Sequence, residues 1–426
     1  MRIADSAPGL IGGTPMLDFP LPAWCSSQLL LKLELLNLTG AMKVRPALSM
    51  IRAAEESGDL MPGGTIVEAS SGNTAVALAM IAAASWQRDR RGRPGRQYRL
   101  IAIVDDNCSA GKVAAVEAYG GKVKQIPCPP GGLPSPDKRV LVARELAAEI
   151  PGGWYAGQSS NPANPAGYAT LAAELLVQIP GVNTLVGALG TGGSLCGTAR
   201  ELRKTGRDIT VVGVEPEGSI YFGPPGPFLQ AGTGRPEGAS IPVTFDRSQI
   251  DEPRRVGDAP AFTACRFLAQ RCGLLAGGSA GSVFLAAIEF AVQYRDRIIA
   301  AILPDAGDKY LDTIHAPSWL EAHDLYHGET WKILCDHSSL LRTCTRRSGT
   351  SWPPSISSCF QQRRVPCRAR CSAHMTTDRP FTGDPPGGAP TLCTSNVPAG
   401  APTYSLIQPP DRAHTAAFTQ RHRSAC

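Results

Sequence analysis

The sequence predicts an α/β fold of two domains followed by a C-terminal stretch of low order. Short apolar runs alternate with helix-length segments through residues 1–330, which argues for covered, mainly parallel sheets. These units are too many for one comfortable sheet, and 426 residues suffice to bury two cores. From about Trp331 the alternation stops.

Taken in order, strands are expected at Leu29–Leu35, Thr65–Glu68, Arg99–Val104 and Lys122–Ile126. A second series follows at Thr184–Leu189, Thr210–Glu215 and Ile298–Leu303. Helices are expected between them at Ala47–Ser57, Thr74–Ala84, Ser109–Tyr119 and Arg139–Ile150. Others are expected at Tyr168–Gln178, Leu195–Arg203, Asp258–Arg271 and Ser282–Gln293. Pro151-Gly152-Gly153 punctuates the chain and serves as the boundary. The smaller domain then spans 38–150, and the larger is discontinuous, taking 1–37 and 151–330. Trp86–Gln97 holds five arginines and two glycines and reads as a solvated surface loop. Residues 331–426 are rich in Ser, Pro, Arg, Thr and Cys, with too few aliphatics to offset the entropy of ordering. Disorder and a frame-shifted or mis-predicted gene end both account for so abrupt a change.

Charge divides at the same place. Residues 1–330 carry 30 Lys and Arg against 32 Asp and Glu, whereas 331–426 carry 12 against 4. The net charge of +6 therefore comes from the tail, and the body gives no clustered basic face for nucleic acid. No secretory leader is evident and no apolar run is long enough to span a bilayer, so a cytoplasmic protein is expected. Cys25, Cys108, Cys128, Cys196, Cys265 and Cys272 are scattered without a C-x-x-C pair, as isolated thiols of a reducing compartment would be. In the tail, Cys367-Arg368-Ala369-Arg370-Cys371 lacks the spacing of a zinc knuckle, and no metal site is expected.

The first 314 residues contain no histidine. That weighs against Ser-His-Asp or Cys-His catalysis and against a histidine-built metal site in the body. Proton transfer there falls to Lys, Asp, Glu, Tyr or a cofactor. Lys43 stands out, an exposed-looking lysine upstream of two loops rich in glycine and hydroxyls. Gly190-Thr191-Gly192-Gly193-Ser194 lies between a strand and a helix, where free amides and the helix N-terminus hold anions. A structural glycine turn remains an alternative. So does a dinucleotide site with Glu215 on the ribose, although the glycines at 187, 190, 192, 193 and 197 do not follow G-x-G-x-x-G. Ser70-Ser71-Gly72-Asn73-Thr74 opens another helix and suits a carboxylate, or serves as a plain N-cap. Gly277-Gly278-Ser279-Ala280-Gly281 also precedes a helix, with Ser279 as a possible cap and glycines permitting close approach to something flat.

The first 320 or so residues resemble the fold-type II pyridoxal-phosphate enzymes of the cysteine synthase and cystathionine β-synthase family. The resemblance rests on Ile11-Gly12-Gly13-Thr14-Pro15-Met16, Lys32-Leu33-Glu34, Asn37–Arg45, Glu68–Thr74 and Asn161-Pro162-Ala163-Asn164-Pro165. It extends through Gly190–Ser194, Gly277–Ser282 and Leu303-Pro304-Asp305-Ala306-Gly307. It implies a tryptophan synthase β-like fold, a homodimer, and pyridoxal 5′-phosphate joined to Lys43 as an imine. It further implies that Asn73 contacts the cofactor's 3′-oxygen, that Gly190, Thr191, Gly192, Gly193 and Ser194 hold its phosphate, and that Ser279 meets its ring nitrogen. Ser70, Ser71, Gly72 and Thr74, with Gln158, would bind the substrate carboxylate. A serine at the ring nitrogen implies a modest electron sink, suited to β-elimination to an aminoacrylate and attack on its β-carbon. Where the family usually has N-P-x-G-S-x-K-D-R, this chain has Leu38 for the proline, Ala41 for the serine and Val44 for the aspartate.

Within the family, Ser70–Ile81, Gly218–Gly223 and Tyr310-Leu311-Asp312 look most like the enzymes that make N-(2-amino-2-carboxyethyl)-glutamate, a 2,3-diaminopropionate precursor. The expected reaction replaces the leaving group of O-phosphoserine or O-acetylserine by an amino nucleophile such as glutamate. The alternatives are sulfide as nucleophile, as in cysteine synthases, and a catalytically impaired interaction protein of the same fold.

Overall fold

The computed structural model describes residues 3–334 apart from 71, 89–91, 93, 107 and 128–135. Residues 335–426 of the expected tail, the Cys367–Cys371 segment, Cys128, Ser71 and part of the Trp86–Gln97 loop lie outside the described residues; Trp331–Leu334, expected in the low-order tail, are helical, and Leu334 is buried in the core.

Two sheets organise the chain. The smaller contains β3 (Thr65–Ala69), β4 (Arg99–Asp105), β5 (Lys122–Ile126) and β6 (Gly153–Tyr155), in the order β5-β4-β3-β6 and all parallel. The larger has the order β1-β2-β10-β7-β8-β9. It is built from β1 (Met16–Phe19), β2 (Gln28–Leu33), β7 (Thr184–Ala188), β8 (Thr210–Pro216), β9 (Glu252–Val256) and β10 (Ile298–Leu303). Its pairings are parallel except for β1 against β2. The central strands are buried along nearly their whole length, as both-faces-covered parallel strands must be. The seven strands expected from the sequence are all present, with ends within two residues. The three that sequence reading missed, β1, β6 and β9, are edge strands. Their physics explains the omission. β9 reads Glu-Pro-Arg-Arg-Val, and charge with proline is how an edge avoids further pairing.

The helices are α1 (Val44–Ser57), α2 (Asn73–Ala84), α3 (Ala110–Ala118), α4 (Pro136–Glu149) and α5 (Ala163–Ala166). They continue with α6 (Ala169–Gln178), α7 (Gly193–Arg203), α8 (Asp258–Cys272), α9 (Gly278–Gln293) and α10 (Pro317–Ala322). α2 is almost wholly buried in the small-sheet core, which its unbroken run of small and aliphatic residues requires. α8 and α9 pack together in the large-sheet core, where Phe262, Phe284 and Phe290 are enclosed.

A buried ionic cluster fixes α1 to the large sheet. All three protons of Lys32 Nζ find acceptors, on Thr14 O (2.6 Å), Glu174 Oε2 (2.7 Å) and Gln178 Oε1 (2.7 Å). Arg45 grips Glu34 through Nε and Nη2 at 2.7 and 2.8 Å, and Glu174 through Nη1 and Nη2 at 2.8 and 2.9 Å. Its last donor reaches Thr170 Oγ1 at 2.9 Å. Two cations face two carboxylates, so the cluster is neutral and its donors are satisfied. These partners draw Glu174 down to about 2, against burial that pushes the other way.

Two outcomes are expected. Arg45→Leu leaves the buried Glu34 without its cation and Glu174 with Lys32 alone, and should cost about 3–5 kcal/mol in urea unfolding. Lys204→Ala, which removes the exposed Lys204–Glu201 pair, should stay within about 1 kcal/mol. Because Glu174 has a depressed folded-state pKa, its stabilisation is present above the usual carboxylate range and is lost as pH falls towards 2. Acid unfolding of a Glu174→Gln protein should therefore lose part of its pH dependence in that window.

Candidate active site

The cleft forms where several parallel strands end. β3 leads to Ser70 and on to α2, β7 to Leu189–Gly192 and α7, β10 to Pro304-Asp305, and β4 ends at Asp105, ahead of α3. In open parallel sheets this carboxyl edge is where helix N-termini and free loop amides face a ligand. The resulting cavity holds about 570 Å³.

Lys43, Asn73, Gly190, Thr191, Ser194 and Ser279 all line it. Ser70, Gly72, Thr74 and Gln158 do so too. Lys43 is half-buried rather than exposed, and it immediately precedes α1. Burial holds its pKa below the ordinary lysine value, partly opposed by the Asp305 carboxylate. Lys43 Nζ has no hydrogen-bond or ion-pair partner among the described residues, so the amine is left for a ligand. Its neighbour Val44 is fully buried in the small-sheet core, a place that suits an apolar side chain.

Ser279 lies inside the first turn of α9 rather than capping it, because the helix already starts at Gly278 after Gly277. α2 likewise starts at Asn73 after Gly72, with no side-chain cap. That disposes of the plain N-cap reading for Ser70 and Thr74. The Thr74 hydroxyl instead donates to Gln158 Oε1 at 2.6 Å, and Ser70 Oγ accepts from Gly72 N at 3.2 Å.

The Gly190–Ser194 turn is packed too tightly for side chains. Gly192 has φ +80°, and a Cβ there would lie 2.7 Å from the Phe245 Cα. A Cβ on Gly190 would meet Gly232 O at 2.6 Å, and one on Gly193 would meet Asn164 Oδ1 at 2.4 Å. Thr191 accepts from Asn164 Nδ2 at 3.3 Å, and its carbonyl accepts from Thr244 Oγ1 at 2.7 Å. α7 then begins without a side-chain cap, its first amides directed at the turn. A small anion fits such a cradle. Glu215 is not free for a ribose: it is fully buried and accepts from the amides of Tyr221 and Phe222 at 3.2 and 3.0 Å. The dinucleotide alternative therefore falls.

Several cleft residues carried no sequence signal. Lys112 and Arg139 sit on ordinary amphipathic helices, and Arg235 lies in a loop rich in glycine and proline. Asp305 and Tyr310 belong to recognised motifs, but their meeting with Asn73 is purely tertiary. Behind the Ser70 turn, Glu68 is fully buried. Burial pushes it up to about 7, only partly offset by amides such as Gln158 N at 3.2 Å.

Fold and site together define a two-domain α/β enzyme with an unpaired lysine and an anion cradle in one polar cleft. The family described as pyridoxal-phosphate dependent enzyme matches residues 8–305. A putative cysteine synthase of Sinorhizobium fredii is 39% identical over 319 residues, covering 73% of this chain and 90% of its own. An N-(2-amino-2-carboxyethyl)-L-glutamate synthase of Cupriavidus metallidurans is 35% identical over 319 residues, covering 73% and 89%. The crystal structure of an O-acetylserine dependent cystathionine β-synthase from Helicobacter pylori has a TM-score of 0.65 at 33% identity, covering 74% of this chain and 99% of that one. The chain belongs to the pyridoxal-phosphate dependent enzymes, in their cysteine synthase and cystathionine β-synthase branch. It depends on pyridoxal 5′-phosphate and catalyses a β-replacement type of transfer.

Two measurements probe this construction. Gly192→Ala should abolish retention of pyridoxal phosphate on dialysis. Gly206→Ala, also at positive φ but with open space around it, should cost only about 1 kcal/mol of stability. Glu68 has a raised folded-state pKa, so the folded protein holds its proton more tightly than the unfolded chain between about 4.5 and 7. Its contribution to stability therefore falls as pH rises through that window. Glu68→Gln should flatten this decline in melting temperature and stabilise the protein at pH 8.

Proposed function

We propose that the chain displaces the leaving group of O-phosphoserine or O-acetylserine with an amino-acid nucleophile such as glutamate, giving a 2,3-diaminopropionate precursor. The carrying observation is the charge of the cleft. Lys43, Lys112, Arg139, Arg235 and Lys309 line it, against Asp105, Asp305 and Asp312. Arg139 is paired with Asp105, and Arg235 with Asp137 at 3.1 Å. Lys112 is buried under the face of Tyr310, 4.9 Å from the ring centre, with no hydrogen-bond or ion-pair partner among the described residues. A cationic excess of this kind suits substrates bearing a second acid group, such as a phosphate or a side-chain carboxylate. The name of the Cupriavidus relative points the same way.

When bound, pyridoxal phosphate supplies the conjugated ring that withdraws electrons from the substrate's Cα. On this reading Gly190, Thr191, Gly192, Gly193 and Ser194 hold its phosphate, Asn73 its 3′-oxygen and Ser279 its ring nitrogen. Ser70, Ser71, Gly72, Thr74 and Gln158 hold the substrate carboxylate, with the Thr74–Gln158 bond orienting both side chains. Lys43 carries the cofactor at rest, then takes the Cα proton and later returns one. Only the neutral amine can take a proton, and a depressed pKa enlarges that fraction near neutrality.

Sulfide is the second reading, favoured by the 39% identity to a protein named a putative cysteine synthase. A homodimer in the cytoplasm completes the proposal; a monomer at micromolar concentration in sedimentation would contradict the assembly.

The deciding experiment offers O-phosphoserine or O-acetylserine with glutamate or sulfide and identifies the product by mass. Exclusive use of sulfide would overturn the choice of nucleophile. Lys43→Ala should remove the cofactor-linked visible absorbance and lower turnover by at least about 10²–10⁴-fold. Activity of the parent should fall on acidification as Lys43 becomes charged.

A further inference from the structure

Three elements of the cleft meet at one buried carboxylate. Asp305, 4% exposed, follows β10. Its Oδ2 accepts from Asn73 Nδ2 at 2.9 Å and from the Tyr310 hydroxyl at 2.7 Å. Its Oδ1 is enclosed and has no hydrogen-bond partner. The backbone around it is stitched to both neighbours. Met42 N donates to Pro304 O and Ala306 N to Gly40 O, each at 2.9 Å, while Gly277 N donates to Asp305 O at 3.0 Å. The lysine loop, the first residue of α2 and the approach to α9 thus share one anchor.

Lys309 completes the arrangement from the other side of Asn73. Its Nζ donates to Asn73 Oδ1 at 3.0 Å and to the carbonyls of Thr39 and Gly40 at 2.7 and 3.3 Å. The Asn73 amide is therefore held between a carboxylate on its NH₂ and an ammonium on its oxygen. Turning it over would set oxygen against oxygen and N–H against N–H. Its NH₂ donates to Asp305 and also meets the Tyr310 hydroxyl, so the carboxylate and the phenol together set the direction in which the amide presents its donors. The ionisable groups acting with Asp305 are Lys43 from the loop before α1, Lys309 and Tyr310 from the turn after β10, and Cys265 from α8. Lys112 of α3 covers the outer face of Tyr310.

We propose that Asp305 is a positioning residue for the reaction: it fixes the donor direction of Asn73 and supplies the counter-charge of Lys43. The proposal rests on the reading of this cleft as the pyridoxal phosphate site. It assigns to one carboxylate both the geometry of the amide and the electrostatics of the amine.

Its charge half can be tested without cofactor. The rate at which an amine-reactive reagent modifies Lys43 in the apoprotein, followed by peptide mass spectrometry across pH, gives the lysine's titration midpoint. Losing a nearby opposite charge lowers an ammonium's pKa, so Asp305→Asn should move the midpoint down by about one pH unit, and Asp305→Glu should restore it. Lys309→Met keeps the carboxylate. It should leave the midpoint in place while weakening pyridoxal phosphate retention about tenfold in equilibrium dialysis, as expected for one lost charge-assisted hydrogen bond. An unmoved Lys43 midpoint in a folded Asp305→Asn protein overturns the proposal. Should that variant fail to fold, undiminished cofactor retention in Lys309→Met overturns it instead. Failure of the unsubstituted protein to bind pyridoxal phosphate is a different result. It refutes the cofactor reading, and the Asn73 half of the proposal with it, whatever the lysine titration shows.

Discussion

The grip of Arg45 on Glu34 and Glu174 is the constraint on which the cleft depends. Arg45 lies two residues beyond Lys43 on the first turn of α1, whereas Glu34 follows β2 and Glu174 belongs to α6. A guanidinium with every donor bound in a fixed fork leaves α1 little freedom to rotate or slide. Since α1 also packs through Val44, Ala47 and Ile51 into the small-sheet core, the lysine is carried by an element answerable to both sheets. Breaking the cluster would therefore disturb placement of the amine as well as stability. The same cluster accounts for several motifs at once. The Gly13 amide and Thr14 hydroxyl, Lys32, Glu34, Asn37 and Arg45 are separated along the chain but are partners in one network.

Around the lysine the protein uses burial selectively. Lys43 is desolvated and opposed by a single acid, which favours the neutral amine without excluding the ion. Glu68 is desolvated with one oxygen unbonded, which favours its neutral acid. The two groups are pushed towards uncharged forms by the same low-dielectric surroundings, while Lys112, under the face of Tyr310, keeps a positive charge in the remainder of the cleft. Neutral chemistry and anion attraction coexist because they occupy different walls.

Much of this was legible in the sequence because parallel α/β units advertise themselves. Buried strands such as Ile298–Leu303 are continuous apolar runs, and glycine-rich turns such as Gly190–Ser194 follow them directly. Three of the four edge strands were not legible, since a segment such as Glu252–Val256 has the composition of a loop; Lys122–Ile126 was the exception. The carboxyl-edge loops could be assigned to anions from their glycines and hydroxyls. The residues that tune them could not, because Asp305, Lys309 and Arg235 acquire meaning only from partners far away in the chain. Glu215 shows the converse: its position after a strand invited a ligand role, and the fold uses it to secure the amides of Tyr221 and Phe222.

The place of β2 between β1 and β10 bears on how the polypeptide is made. β2 emerges early in synthesis, yet its parallel partner Ile298–Leu303 is some 270 residues further on. The four strands of the smaller sheet lie together within Thr65–Tyr155 and can pair long before that partner exists. Until then Leu29, Leu31 and Leu33 lie on a strand with only β1 beside it and one edge open, a state that invites aggregation during translation. The nascent chain thus passes through an interval of incomplete pairing defined by one strand, and its end coincides with synthesis of the segment that carries Asp305.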